Sequence, residues 1–143
     1  MNLKNISKLV ILVLASNLPL IGSAQCNSFV KSKCIPNMKP YINSGQTNAS
    51  TLIAGDHTEI SRTFYSGQNY RIMVCSQASL GDVKFNLKDA GNNIIFSNKG
   101  YGNLWDFKCE TTQELTIEVI TASSSDAGLD KSGCVSILIG FKQ

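Results

Sequence analysis

From Ser50 to the C-terminus, apolar side chains recur at every second position, not every third or fourth. In residues 69–75 the set Tyr70, Ile72, Val74 alternates with Arg71, Met73 and Cys75. The same beat runs through Val83, Phe85, Leu87, then Trp105, Phe107, Cys109, then Leu115, Ile117, Val119, and finally Val135, Ile137, Ile139, Phe141. Half-buried antiparallel strands produce this pattern because successive side chains point to opposite faces of a sheet. Shorter runs at 51–54, 59–65 and 93–97 bring the total to about eight strands. Gly55-Asp56, Ser66-Gly67, Gly81-Asp82 and Gly91-Asn92 punctuate them with turn chemistry. The spacing predicts an all-β chain, an antiparallel β-sandwich or barrel.

The first residues read as an export leader. Lys4 and Lys8 precede an apolar run, 9–22, that ends in Gly22-Ser23-Ala24, with small residues at −3 and −1 of a cut leaving Gln25 first. The run is short for a membrane span of about 20 residues, and Ser16, Asn17 and Pro19 interrupt it. Lipidation at Cys26 is not expected, because Gln25 before it is not small. The predicted organisation is a signal peptide, 1–24, an irregular N-terminal segment, 25–50, with Pro36, Pro40 and room for one short turn of helix, and a sandwich domain, 51–143. The expected location is secreted or periplasmic, with no membrane span after cleavage.

Charge and cysteines narrow the chemistry. The formal net charge is +3, and two of the lysines leave with the leader. The near balance that remains argues against nucleic acid, which needs a concentrated basic surface. Cys26, Cys34, Cys75, Cys109 and Cys134 include no CxxC pair, so disulfides in an oxidising compartment are expected before zinc or redox sites. Counting does not choose the pairing, but parity offers a guide. Cys75 and Cys134 fall at strand ends on the outward phase, whereas Cys109 shares the inward phase with Trp105 and Phe107. A Cys75–Cys134 bridge, a local Cys26–Cys34 bridge and a buried, inert Cys109 are therefore expected.

No catalytic constellation stands out. His57 is the only histidine, placed in a turn, and no GxSxG elbow, HExxH pair or phosphate-cradling loop occurs. Asp126 and Asp130 share a loop but lack EF-hand spacing. No catalytic residue, metal or cofactor is expected. Candidate binding residues are Tyr65 beside the Ser66-Gly67 turn, Arg71 on the outward phase, and Tyr101 between two glycines. Rings of this kind supply contact area at low entropic cost.

The series FYSGQNYRIMV, GDVKFNLKDAGNNIIF, LWDFKCETTQELTIEV and GCVSILIGF resembles the bacterial pre-peptidase C-terminal domain. The matching positions are Phe64, Gly67, Tyr70, Gly81-Asp82-Val83 and Asp89 to Asn92, within a stretch from about Ile60 to Phe141. The chain is similar in particular to small stand-alone exported proteins of the Bacteroidetes type. The resemblance implies a jelly-roll sandwich without catalysis of its own, in a family some of whose members bind collagen, polysaccharide or calcium. The expected function is a binding or interaction module at the cell envelope or outside it, with an envelope protein or a polysaccharide as partner. The alternative is a structural or stress-related envelope protein without a dedicated ligand.

Overall fold

The computed structural model describes residues 21–99, 102–123 and 131–142, with the side chains of 21–24 excepted. Among them, the alternating runs form nine antiparallel strands: β1 (Ile42–Asn43), β2 (Asn48–Ile53), β3 (His57–Phe64), β4 (Asn69–Ser76), β5 (Val83–Lys88), β6 (Ile94–Ser97), β7 (Leu104–Lys108), β8 (Gln113–Thr121) and β9 (Ser132–Lys142). One sheet has the order β1-β9-β4-β7, with β2 pairing β9 alongside β1; the other has the order β3-β8-β5-β6. All the runs read from the sequence are present. The additional strand is the two-residue β1, opposite Gly140 and Phe141 of β9.

The inward phase builds the core as the alternation requires. Phe64, Ile72, Phe85, Leu87, Leu115, Ile117, Val119, Val135 and Ile137 are buried between the sheets. Removing each such side chain from water contributes roughly 1.5–3 kcal/mol. Trp105 and Phe107 join this core but are only half-buried, because β7 is an edge strand. Their rings continue a stack that starts on the other sheet: Phe96 to Trp105 is 4.4 Å and Trp105 to Phe107 is 4.5 Å between centroids. This stack joins β6 to β7 along one flank of the sandwich.

The N-terminal segment is helical over more than the one short turn expected of it, as far as Met38. Helix α1 (Ile21–Phe29) runs through the expected Ala24–Gln25 cut. It continues as a π-helical turn at Val30–Cys34 and a 3-10 turn at Ile35–Met38. Val30, Cys34 and Met38, four residues apart, form a buried stripe lying on Met73 and Leu138. Pro36 is accommodated because it sits at the start of the 3-10 turn, where a missing N–H costs little. The segment is therefore a third layer on the outward face of the β9–β4 sheet. Strand β9 is covered on both faces from Gly133 to Gly140. At Gly140 the approach is close enough that an added Cβ would lie 2.5 Å from Met38 Cε and 2.9 Å from Tyr41 Cβ.

This layer overturns the expected cysteine pairing. The bridges are Cys26–Cys134, with Cα atoms 5.4 Å apart, and Cys34–Cys75, at 5.9 Å. A Cys26–Cys34 bridge is excluded by helical geometry: eight residues of helix advance about 12 Å, beyond the ~7 Å that a disulfide spans. Across the strands, Cys75 faces Ser136 and not Cys134, so those two cysteines are only diagonal neighbours. Cys75 and Cys134 do occupy the outward phase, but that face is where the helical layer docks, and each takes its partner from it. In the chain-entropy picture the two loops are worth up to about 5 and about 4 kcal/mol. They are nested and not additive. Cys109 is free and buried.

Candidate functional site

A cleft of about 290 Å³ opens at the end of the sandwich where β3 and β9 finish and β4 begins. Its walls include Asn48, Arg62, Tyr65, Gln68, Tyr70 and Phe141. The turn between β3 and β4 shapes its lip. Gly67 adopts φ +82°, a left-handed conformation that suits glycine, and its N–H donates to the Cys109 carbonyl at 2.8 Å. The Ser66 N–H donates to Thr112 Oγ1 at 3.0 Å. The Tyr65 N–H donates to Tyr70 Oη at 3.0 Å, which ties the lip to a buried ring. The Tyr70 ring packs edge-on against Phe64 at 4.9 Å. Tyr65 itself stays 60% exposed, a ring held at the cleft without being part of the core.

Arg62 is the charged residue of this lining. It occupies the inward phase of β3, between Ile60 and Phe64, on the edge of its sheet. From there it reaches across the open flank to the other sheet: Nη2 donates to Asn48 Oδ1 at 3.0 Å, and Nη1 donates to the Ser61 carbonyl at 2.9 Å. Sequence reasoning missed it. The available signal was a charge on a phase otherwise reserved for apolar side chains.

Of the three candidates read from the sequence, Tyr65 lines this cleft and Arg71 does not. Arg71 lies on the outward face of β4 and is engaged there. Nε and Nη2 each donate to a carboxylate oxygen of Asp106 at 2.7 Å, and Nη1 donates to the Lys39 carbonyl at 3.0 Å. The Tyr41 ring covers the guanidinium at 4.5 Å. These contacts fasten the end of the N-terminal layer. The Arg71 hydrogen bonds hold the Asp106 carboxyl below its usual range, against the effect of burial. Burial, followed by the nearby Asp106 charge, pushes the Tyr41 phenol up. Tyr101 lies outside the described residues, as do Asp126 and Asp130.

A second cavity, about 480 Å³, lies at the opposite end, lined by Val74, Ser76, Asp82, Lys84 and Lys99 among others. Its polar anchor, Asn98, is committed to structure: Oδ1 accepts from the Phe85 N–H at 2.8 Å, and Nδ2 donates to the Gly102 carbonyl at 2.8 Å. His57 opens β3 and is exposed. The Cys109 thiol donates to the Thr111 carbonyl at 3.1 Å. Among the described residues, no three His, Cys, Asp or Glu side chains cluster as a metal site would require, and no helix is long and apolar enough to cross a membrane.

No protein-family model and no curated protein matches the chain. Among solved structures, the chain is similar to PliG of Aeromonas hydrophila, a periplasmic lysozyme inhibitor of g-type lysozyme. The TM-score is 0.52 at 13% identity, over 73% of this chain and 90% of that one. Two looser likenesses carry no weight. One is the CBM36-1 domain of a multidomain xylanase from the hindgut metagenome of Trinervitermes trinervoides, at TM-score 0.35 and 20% identity over 73% and 91% of the two chains. The other is a de novo designed double-stranded β-helix, at 0.34 and 16% over 68% and 99%. At such identity the likeness to PliG concerns the fold alone, and the resemblance read from the sequence holds to the same depth: the chain is a two-sheet antiparallel β-sandwich.

Proposed function

We propose that this chain is an exported, non-catalytic binding module that engages a polysaccharide or a protein at the cell envelope or outside the cell. The observation that carries this reading is the Tyr65 ring, exposed beside Arg62 at the mouth of the end cleft. Exposed rings on a rigid frame are a common binding device. The two disulfides support an oxidising compartment. A periplasmic inhibitor with a similar fold, and the resemblance to pre-peptidase C-terminal domains, support a role exercised by binding. In this reading residues 1–24 are a leader removed on export, and mass spectrometry of the exported protein finds Gln25 at its N-terminus.

The test is retention. The oxidised protein, immobilised and offered an extract of envelope proteins and polysaccharides, retains one species saturably. Tyr65→Ala lowers that retention several-fold without changing the unfolding midpoint. Retention no higher than on a blank support would replace this reading with that of a structural envelope protein.

A further inference from the structure

The chain holds two arginines, Arg62 and Arg71, and the sandwich uses them differently. Arg71 is neutralised by the bidentate Asp106 carboxylate. Arg62 has no such partner: the ion pairs among the described residues join Arg71, Lys88 and Lys108 to acids, and both acceptors of Arg62 are neutral oxygens. A guanidinium carries five N–H donors in a planar fork. Two are occupied, and three have no partner among the described residues.

The surroundings make that vacancy chemically specific. Ile139, Phe141 and Tyr70 form an apolar wall, where a charge interacts more strongly than it would in open water. The planar fork matches a carboxylate with two parallel hydrogen bonds. The lining contains no lysine and no second arginine, so the site has one positive charge, suited to a monoanion and poorly suited to a phosphate dianion. Around Arg62 stand Ser44, Gln46 and Gln68, neutral groups able to donate to and accept from hydroxyls. Tyr65 offers an exposed ring face at the lip. The volume, near the lower end for small-ligand sites, suits one sugar ring.

We propose that this cleft binds a carboxylate-bearing sugar residue, with Arg62 taking the carboxylate and Tyr65 packing on the ring; the assignment rests on the binding role proposed above. An acidic peptide would also satisfy the arginine but would leave the exposed Tyr65 face without a sugar ring to pack on it.

The test titrates the disulfide-bonded, isotope-labelled protein with methyl glucuronoside, methyl glucoside and a glutamate-rich peptide, following amide and arginine side-chain resonances. Glucuronoside is expected to give saturable shifts centred on Arg62 Nε and the Tyr65 and Gln68 amides. The neutral glucoside is expected to bind about tenfold more weakly, for want of the charge-assisted pair. Arg62→Lys keeps the charge and loses the fork, so the preference shrinks; Arg62→Gln removes it. Tyr65→Ala weakens both sugars and, at an exposed position, keeps the test valid should an Arg62 variant fail to fold. Equal affinity for the two sugars, no saturable shift, or tighter binding of the peptide overturns the assignment. If envelope retention survives Arg62→Lys while glucuronoside does not bind, the binding role stands and this site falls. If neither sugar nor extract is bound, both fall.

Discussion

Arg71 and Asp106 sit opposite one another on β4 and β7 and are joined by two parallel N–H···O bonds of 2.7 Å. The pair is the floor on which the end of the N-terminal layer rests, through the Lys39 carbonyl and the Tyr41 ring. An outward-facing ion pair in a sheet is usually worth little. This one also fastens a layer.

Asp106→Asn should therefore cost about 0.5–1 kcal/mol at neutral pH, a modest figure because the Asp106 side chain is 38% exposed and solvent screens it. The sign of the pH effect follows from the direction of the shift. The folded carboxyl is held below its ordinary value of 3.8, so its contribution is present above that pH and lost as pH falls through the lower folded-state value. Urea denaturation should find the wild type more stable than the variant at pH 7. The two should converge in strong acid, and a constant difference down to the acid limit would refute the linkage.

The disulfides predict a separable layer. Cys34→Ser with Cys75→Ser removes the shorter loop and should cost up to about 4 kcal/mol. It should also raise amide exchange in residues 30–38 well before exchange in β8, where Ile117 is fully buried. Both readouts come from one hydrogen-exchange experiment on the oxidised variant. Uniform loss of protection would mean that the helical layer and the sandwich unfold as one unit.

The strands and their inner face were legible from β2 to β9 because a one-residue slip turns every side chain over, so parity along Leu115, Ile117 and Val119 leaves one answer. The third layer was not, although Val30, Cys34 and Met38 carry its four-residue spacing. Two lysines and a serine separate Val30 from Cys34, Pro36 follows, and one apolar side chain per turn is a faint stripe beside a strand's strict alternation. The cysteine error follows from that omission, since an outward phase reads as solvent when no layer is known to cover it. Arg62 was hidden for a related reason. On an edge strand an inward charge can reach across the flank, and sheet order is not written in a single strand's pattern.

Gly140→Ala should destabilise by about 1–3 kcal/mol as an overpacking change. The added methyl meets Met38 Cε at 2.5 Å, an atom at the end of a flexible side chain, but also Tyr41 Cβ at 2.9 Å, which moves only with its backbone. Met38→Ala in the same chain should recover part of the loss and not all of it. A double-mutant cycle reads that coupling directly, and strict additivity would mean that Met38 yields freely.

Cys109 sets the last expectation. Its side chain is 1% exposed, and its thiol lies against the Phe64 and Thr111 carbonyls below the β3–β4 turn. A thiol reagent must reach the sulfur, so modification requires either local opening of that turn or global unfolding. The turn is held by the Gly67 N–H on the Cys109 carbonyl and by the Cys109 N–H on the Gln68 carbonyl, at 2.8 and 2.9 Å. Local opening should therefore be rare. With both disulfides intact, labelling in a urea series should rise together with the fluorescence change of Trp105, which belongs to the same core. Replacing Gly67 by Ala, at φ +82°, strains the turn. That variant should bring labelling forward to lower urea than the fluorescence transition. Rapid labelling of the wild-type protein without denaturant would show that the turn opens on its own and that Cys109 is within reach of chemistry.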